Sequence, residues 1–170
     1  YFRITEPSEM VNAEKYINPG VGHATPAIQK LKEAGFTEKI KETKKPVLGI
    51  CLGMQLLTSR SEEGNSELLG LIPLDIVRIS QNVKVPHIGW NKVKSEPRHP
   101  LFEGLVEEYF YFVHSYYVPI SEAFTIGSTD YPTAFSSAIG NKNFIGVQFH
   151  PEKSGAGGEQ LLKNYVSLKL

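Results

Sequence analysis

Several scarcities in the sequence narrow the kind of protein it encodes. One cysteine among 170 residues excludes a disulfide framework and a multi-cysteine zinc module, and suits a reducing compartment such as the cytoplasm. The chain also lacks an excess of charge, because 18 basic and 18 acidic side chains cancel. That balance argues against a polybasic nucleic-acid binder and against an acidic disordered tail. No apolar run approaches the roughly 18 residues of a membrane span, so no membrane association is expected.

The residues that are present predict one α/β domain spanning 1–170. With 41% hydrophobic side chains, the chain can bury a core of single-domain size. The first half alternates strand and helix patterns, with strands at 15–18 and 47–50 and helices at 24–42, interrupted at Gly35, and 52–59. The second half predicts strands at 74–79, 88–93, 109–118, 123–127, 135–139 and 143–149 and a closing helix at 158–168. This order predicts a largely parallel open sheet, flanked by helices, with antiparallel additions.

The segment Gly49-Ile50-Cys51-Leu52-Gly53 has the form of a nucleophile elbow, G-x-S-x-G, with cysteine in place of serine. Glycines flank the cysteine because a tight turn brings backbone too close for Cβ atoms. The elbow would expose the sulfur at a helix N-terminus, where the dipole and free N–H groups favour the thiolate. Gln55 lies one turn further along the same helix face and adds a carboxamide. The alternative reading of Cys51 is a buried apolar cysteine without chemistry.

A cysteine nucleophile needs a base that is held by a third group. His150 and Glu152 follow the strand 143–149, at the sheet edge where the carboxyl ends of parallel strands and Cys51 should meet. Pro151 fixes the backbone between them, and Glu152 can orient and stabilise the imidazole. Taken alone, His-Pro-Glu is more often an ordinary loop. The other four histidines lack metal-ligand spacing, so no metal site is predicted.

Attack on an amide carbonyl also needs N–H donors for the negatively charged oxygen. The backbone N–H of Leu52, directly after the nucleophile, is one expected donor. A second lies in Pro19-Gly20-Val21-Gly22 at the end of a neighbouring strand, although P-G-x-G is more often a simple turn. The aromatic stretch 111–117 ends in polar groups, which suits either a pocket wall or a half-buried strand.

Taken together, the segments 19–22, 49–55 and 146–152 resemble the class I glutamine amidotransferases. The segments 61–65, 85–91, 113–117 and 150–155 narrow the resemblance to the glutaminase subunits of imidazole glycerol phosphate synthase. The resemblance covers nearly the whole chain in the right order. It implies the flavodoxin-like fold of this class, from which a strand and helix ahead of residue 1 are missing.

The resemblance implies an enzyme without a cofactor that hydrolyses L-glutamine to glutamate and ammonia. It assigns Cys51, His150 and Glu152 as the catalytic triad, and the backbone N–H groups of Val21 and Leu52 as the oxyanion donors. The further residues that it implies for glutamine binding are Gly20, Gly53, Gln55, Glu63, His114, Ser115 and Tyr116.

The resemblance also implies a protein partner. Ammonia would pass to a (β/α)₈-barrel cyclase subunit in a heterodimer that makes imidazole glycerol phosphate and AICAR in histidine biosynthesis. Hydrolysis would stay slow until the partner binds its own ligand. The residues that match the family's interface positions are His87, Trp90, Asn91, Tyr111 and Lys153.

Three alternatives remain open at the level of sequence. The first is an amidotransferase subunit that serves another synthase, of the surface-sugar or anthranilate type, because the triad alone does not separate such subunits from one another. A regulatory subunit that has lost the ammonia chemistry is the second alternative, and the intact triad argues against it. The third is a cysteine hydrolase that acts on peptides. Gln55 and Glu63 argue against it, because they favour a small free amino acid as the substrate.

Overall fold

The computed structural model describes residues 1–80, 82–96, 99–105 and 108–169. The helices α1–α4 span Ala24–Glu33, Phe36–Glu42, Leu52–Leu56 and Gly155–Ser167. The strands β1–β11 span Tyr16–Gly20, Val47–Cys51, Arg60–Ser61, Ser66–Glu67, Asp75–Arg78, His87–Ser95, Glu108–His114, Tyr116–Pro119, Thr125–Asp130, Ala134–Asn141 and Phe144–Val147. Short 3₁₀ helices lie at Pro7–Asn12, Glu63–Asn65, Pro100–Phe102 and Pro151–Lys153. No helix in these described ranges is long and apolar enough to cross a membrane.

The sheet has a small parallel part at one end, formed by β1, β2 and β11, and a larger antiparallel part. Its strand order is β1-β2-β11-β10-β8-β5-β3-β4, while β9 pairs with β10 and β6 pairs with both β9 and β7. Val47 of β2 lies opposite Tyr16 of β1 on one side and Phe144 of β11 on the other, both in parallel register. The predicted α/β class, with flanking helices and antiparallel additions, is confirmed. The sheet is not largely parallel, as the sequence predicts, but mixed: antiparallel pairs make up more of it, because short turns join most strands of the second half.

Helices cover both faces of the parallel part. An apolar cluster that includes Phe110, Phe149 and Tyr165 lies between the sheet and α4. A second cluster, with Ile28 of α1 and Met54 of α3, lies on the opposite face. All five residues of β2 are buried as a result, which explains why this strand is a continuous apolar run rather than an alternating one.

Helices α1 and α2 are separated where the sequence indicates a break. Gly35 has a φ of +74°, a left-handed conformation that glycine adopts at little cost and that ends a helix. The N-terminus of α1 is capped by His23, whose Nδ1 accepts the N–H of Thr25 at 3.4 Å. The break turns the chain back toward β2, so α1 and α2 pack beside the nucleophile strand.

Two of the differences between the predicted and the observed element bounds shape the site. The predicted strand 109–118 is two strands, β7 and β8, because the chain bends at Ser115, whose carbonyl accepts the N–H of Ile79 at 2.9 Å. The helix predicted to reach residue 59 ends at Leu56, because Ser59 already donates to the carbonyl of Leu74 at 2.9 Å. The bend at Ser115 places the β7–β8 junction over the end of β2.

Candidate active site

Three parallel strands bring the predicted catalytic segments to one edge of the sheet. Cys51 at the end of β2 lies opposite Gly20 at the end of β1. On the other side of β2, Ile50 lies opposite Val147, the last residue of β11. Because the carboxyl ends of parallel strands share an edge, the segment that leaves β11 toward His150 passes beside the cysteine.

Cys51 has a strained backbone conformation at the turn from β2 into α3. Its φ is 52° and its ψ is −108°, a region that costs a non-glycine residue about 1–3 kcal/mol. A Cβ on Gly49 would lie 2.5 Å from the backbone of Gly53, and a Cβ on Gly53 would overlap the carbonyl oxygen of Asn18. The two glycines therefore allow α3 to pack directly on β1 and β2. The geometry is that of a nucleophile elbow.

The sulfur of Cys51 lies in a buried polar environment. It donates to the carbonyl of Val113 at 3.8 Å and accepts the Nε2–H of Gln148 at 3.7 Å. Burial raises the pKa of the thiol to about 11, an effect that outweighs the hydrogen bonds from the Leu52 N–H and from Gln148. The Leu52 N–H at the start of α3 lowers the pKa, as expected of a helix N-terminus, but burial has the larger effect and the thiol stays protonated.

His150 is a buried imidazole with one nitrogen held and the other free. Its Nδ1 lies 2.7 Å from Oε1 of Glu152, so Nδ1–H donates to the carboxylate and the neutral ring keeps Nε2 as a base. This Nε2 is buried and has no hydrogen-bond partner among the described residues. The backbone N–H of His150 donates to the carbonyl of Tyr111 at 2.9 Å. The carbonyl that receives the Cys51 thiol lies two residues further along β7, so the sulfur and the backbone of His150 contact the same short stretch of that strand.

A cavity of about 340 Å³ opens in front of Cys51. Val21 and Leu52, the predicted oxyanion residues, line it beside the cysteine. The other predicted residues that line it are Gln55, Glu63, His114, Ser115 and Tyr116. Gly20 and Gly53, which were also predicted to bind glutamine, lie outside this lining. Their position between β1 and α3 gives them a packing role, because a Cβ on Gly20 would lie 3.0 Å from the Cβ of Leu52.

Glu63 supplies the negative charge of the cavity. Its Oε2 accepts the backbone N–H of Ala24 at 2.6 Å, at the positive N-terminal end of α1, and lies 3.8 Å from Nδ1 of His23. The side chain is only 14% exposed. The helix terminus therefore fixes the carboxylate, whose other oxygen remains available to a cationic group in the cavity.

Gln148 is a site residue that the sequence analysis did not select. Its side chain is fully buried, and its amide bridges the Gln55 amide and the Cys51 thiol. Oε1 accepts the Nε2–H of Gln55 at 3.2 Å, while Nε2 donates to the Cys51 sulfur. The alternation of side chains along the predicted strand could have indicated this residue, because Gln148 lies two residues before His150 and so is expected on the same side of the chain. A fully buried amide needs partners, and here they are the nucleophile and Gln55.

The residues predicted to contact a partner divide between surface and interior. Trp90 is 56% exposed, and its ring packs edge-on against Tyr111 with centroids 6.2 Å apart. Lys153 lies 6.0 Å above the Tyr111 ring. His87, by contrast, is only 4% exposed and lies beneath the β6–β7 surface. Asn91 is half-buried and donates to Nε2 of His87 at 3.3 Å.

The family model for class-I glutamine amidotransferases matches residues 3–168. The chain belongs to this class, in agreement with a cysteine elbow and an imidazole–carboxylate pair on an α/β sheet. A solved glutamine amidotransferase structure has the same fold, with a TM-score of 0.70, 15% identity, and coverage of 96% of this chain and 85% of that chain. The described residues hold no cluster of three or more His, Cys, Asp or Glu side chains suited to a metal ion.

Curated relatives make the assignment more specific. Imidazole glycerol phosphate synthase subunit HisH of Bacteroides fragilis (strain YCH46) is 49% identical over 170 residues, which cover 97% of this chain and 86% of the relative. The protein of the same name from Escherichia coli (strain K12) is 45% identical over 166 residues, which cover 96% and 84%. Within the class, the chain belongs to the HisH family.

Proposed function

We propose that this chain is the glutaminase subunit of an imidazole glycerol phosphate synthase. It hydrolyses L-glutamine to glutamate and ammonia, and delivers the ammonia to a cyclase subunit in histidine biosynthesis. The observation that carries the proposal is the strained Cys51 that lines a cavity, at the same edge of the sheet as a buried imidazole whose Nε2 has no hydrogen-bond partner among the described residues. One continuous sheet and its two apolar clusters support a single amidotransferase domain over residues 1–170.

Cys51, His150 and Glu152 divide the chemistry between them. His150 Nε2 takes the thiol proton, and the sulfur attacks the side-chain carbonyl carbon of glutamine to form a C–S bond. The same imidazole then protonates the departing nitrogen, so the C–N bond breaks and ammonia leaves a γ-glutamyl thioester. Water hydrolyses the thioester to glutamate and restores the thiol. Glu152 stabilises the positive ring at each step through its 2.7 Å contact with Nδ1.

The backbone around the nucleophile stabilises the negative oxygen of the tetrahedral intermediate. The Leu52 N–H, which already contributes to the environment of the sulfur, is one donor, and Val21 at the cavity mouth supplies the second. Catalysis requires the thiol to leave the carbonyl of Val113 and to turn toward His150. Because burial keeps the thiol protonated, we expect the chain alone to hydrolyse glutamine slowly.

The cavity suits a free amino acid rather than a peptide. Its volume of about 340 Å³ lies at the lower end of ligand pockets, which span about 300–1,000 Å³. Glu63 faces the α-ammonium group, and the bend that contains Ser115 and Tyr116 offers backbone N–H groups to the α-carboxylate. Gln55 adds a carboxamide between the two ends.

A partner on the β6–β7 ribbon is the second part of the proposal. Trp90, Ile88 and Tyr109 are each more than half exposed on this ribbon, and clustered exposed aromatic residues are typical of protein interfaces. Tyr111 joins this surface to the active site, because its carbonyl accepts the His150 N–H. A sealed interface would keep ammonia from being protonated in bulk water. The partner that fits is the barrel cyclase, and the single reduced cysteine suits a cytoplasmic complex.

The experiment is to mix the chain with the cyclase and with synthases of the anthranilate and surface-sugar types. Glutamate release is then measured with and without each synthase's own substrate. We expect release above background only with the cyclase, and faster release when its ligand is bound. Stimulation by another synthase alone would contradict the choice of partner. A complex that binds glutamine but releases no glutamate would contradict the glutaminase assignment.

A further inference from the structure

Two histidines outside the triad form a buried hydrogen-bonded pair beside the active site. His87 of β6 is 4% exposed and His114 of β7 is 6% exposed. Nδ1 of His87 lies 3.0 Å from Nε2 of His114, and Nδ1 of His114 lies 2.8 Å from the carbonyl oxygen of Tyr116. At the far end, Nδ2 of Asn91 lies 3.3 Å from Nε2 of His87.

The carbonyl of Tyr116 fixes the direction of every hydrogen bond in this series. A carbonyl oxygen only accepts, so Nδ1 of His114 carries a proton and Nε2 of the neutral ring accepts. His87 must therefore donate through Nδ1, which leaves its own Nε2 to accept from Asn91. The Asn91 amide agrees with this direction, because its nitrogen also donates to the carbonyl of Asp130 at 3.1 Å while its oxygen accepts the Lys92 N–H at 2.7 Å.

The same carbonyl connects the pair to the substrate cavity. The Tyr116 oxygen accepts a second hydrogen bond, from Nε2 of Gln55, at 3.3 Å. The other N–H of that amide donates to Oε1 of Gln148 at 3.2 Å. With both hydrogens used, Gln55 presents its carbonyl oxygen to the cavity that it lines. An acceptor at this place suits the N–H groups of a glutamine substrate, whereas a reversed amide would repel them.

We propose that His87 and His114 are a positioning pair that holds the Tyr116 carbonyl, and through it the Gln55 carboxamide, in the orientation required to bind glutamine. The inference rests on the proposed function and deepens it, because it explains how the cavity wall that faces the substrate is held in its orientation. Neither imidazole touches the substrate through a ring nitrogen. Both nitrogens of His114 are already bonded within the protein, so a direct contact between its ring nitrogens and the α-carboxylate is not available.

The surroundings of the pair keep it neutral and rigid. The His87 ring lies between Tyr131, at a centroid distance of 3.9 Å, and Phe112, at 5.0 Å, and is nearly parallel to both. Burial lowers the pKa of His87 to about 4 and that of His114 to about 3. Both rings are therefore uncharged at pH 7, so each keeps one donor and one acceptor nitrogen and the hydrogen bonds from Asn91 to Tyr116 all run in the same direction.

Two substitutions at His87 separate hydrogen bonding from packing. His87→Gln can donate to His114 and accept from Asn91 through one amide, so it preserves both bonds. His87→Phe keeps an aromatic ring between Phe112 and Tyr131 but leaves a buried acceptor on His114 without its donor. In the complex with the cyclase, we expect His87→Phe to raise KM for glutamine about tenfold, equal to about 1.4 kcal/mol. The expected kcat, and the rate with ammonia as nitrogen source, change less than about twofold, whereas His87→Gln stays near wild type.

Equal effects of the Phe and Gln variants on KM would overturn the proposal, and so would equal losses of the glutamine-dependent and ammonia-dependent rates. If the wild-type complex releases no glutamate, the proposed function fails. The pair is then still tested by a measurement that needs no activity.

That measurement is the ¹H–¹⁵N correlation spectrum of the histidine side chains of the wild-type chain. His87 and His114 are expected as neutral Nδ1–H tautomers between pH 6 and 8. His99 is the internal control and is expected as the Nε2–H tautomer, because its Nδ1 accepts the Leu101 N–H at 3.3 Å. An Nε2–H tautomer at His87 or His114, or titration of either ring near pH 6.5, would overturn the pair.

Discussion

Replacement of Gln148 by leucine tests the amide that joins the nucleophile to the substrate wall. The side chain is fully buried, donates to the Cys51 sulfur at 3.7 Å and accepts from Gln55 at 3.2 Å. Leucine has a similar volume, so packing is largely retained while both hydrogen bonds are lost. The thiolate that forms in catalysis would lack one charge-assisted donor.

The bond to the sulfur sets the expected loss of activity, and the bond to Gln55 sets the expected loss of stability. A hydrogen bond to a charged group contributes about 1.5–3 kcal/mol, and each 1.36 kcal/mol is a factor of ten in rate. We therefore expect Gln148→Leu to lower kcat/KM for glutamine by about 10- to 100-fold. The free energy of unfolding should fall by only about 1 kcal/mol, because Gln55 keeps its bond to the Tyr116 carbonyl and can turn its other N–H toward water in the cavity.

The assay is glutamate release by the complex with the cyclase, together with the ammonia-dependent rate and urea unfolding of the chain. Gln160→Leu is the matched control, because Gln160 is exposed on α4 and, among the described residues, its side chain donates a hydrogen bond to Asn164, at 2.8 Å. It should leave all three measurements unchanged. The reasoning is refuted if Gln148→Leu folds normally and keeps kcat/KM within about threefold of wild type. A parallel loss of the ammonia-dependent rate would attribute the effect to assembly instead.

Further predictions address the nucleophile, its base, the partner surface and acid stability. Cys51→Ala should abolish glutamine-dependent synthesis by the complex and leave ammonia-dependent synthesis intact; loss of both would assign Cys51 to the fold. Glu152→Gln should lower the rate of thioester formation, measured in single turnovers, by about 100-fold or more, because an amide cannot stabilise the imidazolium; an unchanged rate would contradict its role. Trp90→Ala should raise the Kd for the cyclase in calorimetry by about 10- to 100-fold without changing the Tm of the chain; an unaltered Kd would remove Trp90 from the interface. Finally, urea titrations should show the free energy of unfolding falling from pH 6.5 toward pH 4. Burial holds the pKa of His87 near 4 and that of His114 near 3, so the unfolded chain binds protons in this window that the folded chain does not. A flat profile would contradict the buried neutral pair.

The parts of the site that rest on local signals could be predicted from the sequence. Two close glycines around Cys51 indicate the elbow, and the break at Gly35 follows from a left-handed conformation that the neighbouring residues cannot easily adopt. Placing His150 beside Cys51 needed one more assumption, that both follow strands of a parallel sheet. The register of β2 and β11 agrees with it.

The parts that depend on distant contacts could not be read from the sequence. Whether the Cys51 thiol ionises depends on how much water the fold removes, and burial by β7 reverses the effect expected from the helix terminus. His87 lies next to the exposed Ile88 in the sequence, yet it faces the interior because neighbouring strand residues point to opposite sides. The roles of Gln148 and Tyr116 depend on amide and carbonyl partners far along the chain.

The high pKa of the buried nucleophile also affects its chemical durability. Burial raises the pKa of Cys51 to about 11, so the thiol is protonated at pH 7, and alkylating agents and peroxide react with the ionised form. The protonated thiol is thereby shielded from sulfenic acid formation and from other electrophiles. The desolvation that we expect to slow glutamine hydrolysis by the chain alone would therefore also lengthen the working life of its one cysteine.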